Sequence, residues 1–149
     1  MIINTETPDQ PEVRAMLEKL DAYHAELYPA ESNHLLDVDS LLREDALFLV
    51  ARDVGGKAVG CAALVNRGGY GEIKRMYVDE ACRGRGAATQ LLEHLSMFAR
   101  MSGLQALMLE TGIHQAPAIR LYERAGFVRR EPFGGYRPDP LSLFMEKRL

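Results

Sequence analysis

The sequence predicts an α/β fold: one domain over residues 1–149, built on a mixed sheet flanked by helices. Two observations carry that reading. The apolar segments Ala46–Ala51, Ala58–Val65 and Tyr70–Val78 follow one another across glycine-bearing turns, as the strands of an antiparallel meander do. From Gly86 onward, stripes at helical spacing alternate with short apolar runs, which is the pattern of a parallel crossover.

Each element follows from local chemistry. Val13, Met16, Leu17, Leu20 and Leu27 recur at helical spacing after Thr7-Pro8-Asp9-Gln10, which offers a cap, an early proline and a capping-box partner. A first helix is therefore expected from Pro8 to Leu27. Tyr28–Asp39 has no sustained period and is expected as a loop or short helix. The hairpin reverses at Asp53-Val54-Gly55-Gly56-Lys57, and the third strand ends at Asp79-Glu80. Ala88, Leu91, Leu92, Leu95, Phe98 and Ala99 mark a second helix that stops near Gly103. Leu104–Glu110 reads as the parallel strand, Ala118, Leu121, Tyr122 and Ala125 as a helix ending at Gly126, and Phe127–Arg130 and Leu141–Lys147 as the last strands. Between those last two, Pro132 to Ser142 carries too many glycines and prolines for a strand and is expected as a shaped loop.

Composition narrows the function. The longest apolar runs fall far short of the roughly 20 residues that span a bilayer. The first residues show no basic-then-apolar leader, so a cytoplasmic location and no membrane partner are expected. A net charge of −3 argues against a nucleic-acid partner, which needs a positive surface. Cys61 and Cys82 are expected as free thiols. His24, His34, His94 and His114 show no metal-ligand spacing, and no metal is expected.

The chemistry concentrates where the third strand turns into the second helix, at Arg83-Gly84-Arg85-Gly86-Ala87-Ala88. The first N–H groups of a helix lack internal partners and stand at the positive end of its dipole, so they hold anions. Two glycines allow the backbone to approach a ligand closely, and Arg83 and Arg85 add charge. A dinucleotide fingerprint would want a small residue where Thr89 stands, and no Gly-Lys-Ser/Thr is present.

This hexapeptide resembles the Arg/Gln-x-x-Gly-x-Gly/Ala signature of the GNAT N-acetyltransferase superfamily. Ala118-Ile119-Arg120-Leu121-Tyr122-Glu123-Arg124-Ala125-Gly126-Phe127 is similar to the superfamily's late helix, which ends in Tyr-Glu-x-x-Gly-Phe. The resemblance extends from about Ala46 to the C-terminus. It implies acetyl-CoA as co-substrate and a splayed sheet whose central parallel pair opens to admit pantetheine. Backbone groups of Met76, Tyr77 and Val78 would pair with pantetheine, and the amides of Gly84 to Ala88 would hold the pyrophosphate. Gln115 stands where many members carry a cofactor-binding asparagine.

By the same resemblance, Tyr122 is the general acid toward the departing thiolate. Glu72 is the leading general base, with Glu110 second. An ordinary amine near pKa 10.4 is mostly ammonium at pH 7, and deprotonating it costs on the order of 4 kcal/mol, so a base or a desolvating pocket is needed. Two bland alternatives stand beside these roles. Tyr122 continues the apolar stripe of its helix, and Glu72 shares a strand face with Lys74 as a candidate solvated ion pair.

The expected activity is transfer of an acetyl group to a primary amine of a small molecule or peptide through a ternary complex. The alternative is a non-catalytic CoA or acyl-CoA sensor, and acyl groups longer than acetyl remain open. Tyr136, Arg137, Asp139, Tyr23, His24, Glu26 and Tyr28 are candidate acceptor contacts. Many members of the superfamily dimerise, so a homodimer is allowed.

Overall fold

In the computed structural model, the described residues are 1–32 and 36–149; His34 lies outside them. Eleven principal elements follow in chain order: β1 (Ile2–Thr5), α1 (Pro11–Leu27), α2 (Val38–Arg43), β2 (Leu47–Arg52), β3 (Ala58–Asn66), β4 (Gly71–Val78), α3 (Ala87–Met101), β5 (Ala106–Gly112), α4 (Ala116–Arg124), β6 (Val128–Arg130) and β7 (Ser142–Arg148). They form a seven-stranded sheet in the order β1-β2-β3-β4-β5-β7-β6. β4 and β5 are the parallel pair, and the other neighbours are antiparallel. This is the mixed sheet that the pattern predicts.

Two features depart from expectation at the N-terminus. β1 was not expected, and it exists because Ile2–Thr5 pairs with Leu49–Arg52 across the edge of the sheet. α1 begins at Pro11 rather than Pro8. The intervening residues turn instead: the Thr7 hydroxyl accepts from the Asp9 amide, and Gln10 donates to Glu6 and to the Thr7 carbonyl. Gln10, the residue before the helix, makes no side-chain cap, and Pro11 opens the first turn.

The sheet buries both faces. On one, α3 and α4 cover Leu49, Val59, Ile73, Leu107 and Leu109 through Leu91, Leu92, Leu95 and Tyr122. On the other, Val13, Met16, Leu17 and Leu20 of α1, with Leu41 of α2, meet Phe48, Val50, Cys61 and Tyr77. Beside this second layer, Phe133 of the β6–β7 loop packs with Met108 and Phe144. The burial of β3 on both faces, unbroken from Ala58 to Val65, places it at the middle of the three-layer stack.

One seam breaks the sheet. Among the described residues, β4 and β5 pair only at Gly71↔Leu107 and Glu72↔Met108. β5 then stays with β7 over its whole length, whereas β4 stays with β3. A bulge in β4 turns it away: Cys61 faces Tyr77 and Ala63 faces Lys74, so Arg75 and Met76 together oppose Ala62. Arg75 takes φ +58° there, a conformation costly for a side chain with a Cβ. Its guanidinium holds the bulge in place by donating to Asp21 at 2.7 Å and to the Leu17 carbonyl at 3.3 Å, both on α1.

Candidate active site

The seam opens into a cleft of about 80 Å³. Ile73 to Met76 form one lip and Leu109 to Gly112 the other, with Gln115 and Tyr122 on the α4 side and His24 and Tyr28 on the α1 side. Of the residues singled out in the sequence, the fold brings Met76, Tyr122, Gln115 and Glu110 to this one space. Met76, Tyr77 and Val78 lie on the stretch of β4 past the last β5 pair, so their backbone is available on the side where a ligand strand would lie.

At the end of β4 the chain passes through a short 3₁₀ turn, Glu80–Cys82, into the glycine-rich segment. Gly84 and Gly86 have φ of +79° and +84°, and a Cβ at either would meet nothing within 4 Å. Glycine is needed there for the backbone conformation, and the space beside it is open. Gly86 precedes α3 without a side-chain cap, and the first turn carries no acidic residue. The N–H groups of Ala87 and Ala88 therefore point toward a turn whose exposed side chains are Arg83 and Arg85. Arg83 is steadied by its Nε donating to the Val78 carbonyl at 3.2 Å. This uncapped, positive helix end suits a pyrophosphate, and the unpaired stretch of β4 suits an amide-bearing arm.

Tyr122 belongs both to the core and to the cleft wall. It packs in the core edge-on to Phe127, 5.7 Å between ring centres, and it also lines the cleft. Burial raises its hydroxyl well above the ordinary phenol value, which keeps the proton on the oxygen at neutral pH.

Glu72 sits apart from the opening. It is 2% exposed, and both oxygens are engaged. Oε1 accepts from Arg67, 3.1 Å to Nε and 3.0 Å to the terminal nitrogen, while Oε2 accepts from the Tyr136 hydroxyl at 2.5 Å. Lys74, which lines the cleft, lies 3.6 Å from Oε2 and donates to Tyr136 at 2.8 Å. Glu72 and Lys74 do pair, as strand periodicity suggested, but out of solvent rather than as a solvated pair, and the contact is extended by a tyrosine 64 residues along the chain. Desolvation lowers the Lys74 ammonium pKa, opposed by the charges of Glu72 and Glu110. Glu110 lines the cleft itself, with Oε2 accepting from the Ser142 hydroxyl at 2.8 Å.

Sequence reasoning did not single out Lys74 as a site residue, nor Arg75, Gly112 or Ser142. Lys74-Arg75, two consecutive cations inside an apolar strand, was the available signal for the bulge. At the far end, the Tyr28 ring stacks on His114 at 5.7 Å and its hydroxyl accepts from the His114 amide. Tyr28 crosses Gly112 so closely that a Cβ there would collide with the ring, so glycine is required by contact. Of the other candidate acceptor contacts, Arg137 and Asp139 line a second, more open hollow with Tyr136 and Glu31.

Comparison with known proteins agrees with the geometry. The sequence pattern of the Acetyltransferase (GNAT) family matches residues 13–127. An IAA acetyltransferase of Azospirillum brasilense is 53% identical over 99% of this chain and 97% of its own length. The uncharacterized N-acetyltransferase YsnE of Bacillus subtilis is 39% identical, covering 81% of this chain and 82% of its own. A solved Klebsiella pneumoniae protein described as a candidate acyl-CoA N-acyltransferase superposes with a TM-score of 0.84 at 39% identity, covering 99% of this chain and 97% of that one.

Proposed function

The chain belongs to the GNAT acetyltransferase family, and on that premise we propose that it moves an acetyl group from acetyl-CoA to an amine by direct attack in a ternary complex. The observation that carries the reading is the seam: β4 and β5 part at Ile73 and Leu109, and β4 leads through a 3₁₀ turn and the glycine-rich segment to the uncapped N-terminus of α3. The pyrophosphate would lie on the amides of Gly84 to Ala88 with Arg83 and Arg85 beside it. The pantetheine arm would run along Met76, Tyr77 and Val78, with Gln115 across from it. Bound there, acetyl-CoA supplies an acyl group on a thioester.

The chain's own groups then manage two protons. Tyr122 Oη, held protonated by burial, gives its proton to the departing sulfur. The acceptor's proton goes to Glu110, which lines the cleft, directly or through one water. Glu72, whose oxygens are taken by Arg67 and Tyr136, acts one step back by fixing Tyr136 and Lys74. The role of base thus passes in this proposal from Glu72 to Glu110. Two solved relatives hold CoA or acetyl-CoA: PaiA of Thermoplasma acidophilum and a GNAT acetyltransferase of Elizabethkingia anophelis. At 18% and 20% identity they share the fold alone. Among the described residues no helix is long and apolar enough to cross a membrane.

Calorimetric titration with acetyl-CoA tests the reading, followed by thiol release with a panel of amines and, in a separate arm, with IAA, the compound in the Azospirillum relative's name. Micromolar binding and amine-dependent thiol release are expected. No binding by the wild type would sink it.

A further inference from the structure

The α1 wall of the cleft is a single stripe. Leu20, His24 and Tyr28 recur every fourth residue, so they share one side of the helix, and all three line the cleft. His24 does not charge the stripe at neutral pH: burial, aided by the nearby charge of Arg75, lowers its pKa. α1 covers the face of the sheet opposite α4, so the stripe stands across the seam from Tyr122.

Tyr28 is the fixed point of this wall. Its ring is 6% exposed, lies nearly parallel to the His114 ring, with 16° between their planes, and meets His24 edge-on at 6.1 Å between ring centres. The hydroxyl accepts from the His114 amide at 3.1 Å, and the ring fills the space that a side chain at residue 112 would need. A residue of α1 is thereby pinned to the turn that follows β5, across the part of the seam where β4 and β5 no longer pair. Giving way to a ligand would cost the stack, the hydrogen bond and the burial together.

A rigid, neutral wall opposite Tyr122 bears on the acyl donor. In the proposed reaction Tyr122 protonates the departing sulfur, so the sulfur lies against it, and the acyl group on that sulfur extends away from it toward α1. The cleft between is about 80 Å³, room for a few groups the size of a water molecule, and the acceptor's amine must share it. We propose that Tyr28 sets the length of the acyl group: acetyl fits, and chains from butyryl upward run into the pinned ring. The inference rests on the acetyl-transfer reading and adds the residue that selects the donor. Gly112 is its partner in this role, because only a residue without a Cβ lets the ring lie where it does.

Calorimetry tests this without an acceptor, with CoA, acetyl-CoA, propionyl-CoA, butyryl-CoA and hexanoyl-CoA as ligands. The wild type is expected to bind acetyl-CoA at least tenfold more tightly than butyryl-CoA, the scale on which surplus methylenes are rejected by a wall that does not yield. Tyr28→Leu, which shortens the wall and keeps it apolar, should bring that ratio below three, while Tyr28→Phe, which keeps the ring, should leave it within twofold of the wild type. Gly112→Ala leaves Tyr28 in the chain but drives its ring out of place, and it should lower the ratio in the same direction. Free CoA binding within threefold of the wild type shows that each variant is folded and its cofactor site intact; where one variant fails that check, the other decides. The proposal is overturned if the wild type binds butyryl-CoA as tightly as acetyl-CoA, or if the full ratio survives in a Tyr28→Leu or Gly112→Ala protein that still binds CoA. Tight binding of every thioester removes the length limit alone; binding of none removes the acetyl-transfer reading as well.

Discussion

The two ends of the cleft are built in opposite ways. The end proposed for the cofactor is a contiguous, exposed turn, Arg83 to Gly86, defined by backbone conformation and a helix terminus. The end proposed for the acceptor is assembled from β4, β5, the β6–β7 loop and β7, with buried side chains locking one another. A site made of backbone depends on few side chains and tolerates change around it. A site made of interlocked side chains ties specificity to stability, because removing one member leaves buried partners unsatisfied.

The sharpest way to break the contrast is Gly86→Glu. A side chain at φ +84° is strained, and its carboxylate would repel the phosphates at the positive helix end. Acetyl-CoA affinity should fall at least a hundredfold by calorimetry, with a loss of stability limited to about 1–2 kcal/mol. Next in size, Tyr122→Phe should lower kcat about ten- to a hundredfold while leaving the KM for acetyl-CoA within threefold, since it removes only a proton donor. Steady-state kinetics checks both numbers, and an unchanged kcat would return Tyr122 to the core alone.

How legible each end was in the sequence follows from the same contrast. Gly84, Gly86 and the stripe of α3 are neighbours in the chain, so a local pattern disclosed them. Tyr136 meets Glu72 across 64 residues, and nothing local marks that contact. The bulge at Arg75 was hidden because strict alternation assumes a regular strand, and β1 because its four residues become a strand only by pairing with β2. Glycine at 112 was unreadable too, since its cause is the ring of Tyr28.

At the acceptor end, Tyr136→Phe removes the hydroxyl between Glu72 and Lys74. It should cost about 1–3 kcal/mol, read as a fall in unfolding midpoint of several degrees, together with a lower kcat. A pure activity loss without destabilisation would refute the coupling of specificity to stability. The smallest effect belongs to neither end. Hydrogen bonds from Arg52 lower the Glu6 carboxyl from the usual 4.5 to about 2. Its stabilisation is therefore complete above pH 4.5 and is lost as pH falls toward about 2. Glu6→Gln should cost about 1–3 kcal/mol at neutral pH and flatten acid denaturation across that window, with acetyl-CoA affinity unchanged.

The seam has a consequence for how the molecule holds together. With β4 and β5 joined at two residue pairs, the sheet is two ribbons, β1–β4 and β5–β7, clamped at one end and free at the other. A ligand lying in the opening acts as a surrogate strand that rejoins them. Saturation at a hundred times Kd adds about 2.7 kcal/mol to the folded state, and that energy enters at the joint where the two ribbons are least attached. On the proposed function, acetyl-CoA in the opening would tie the two ribbons together.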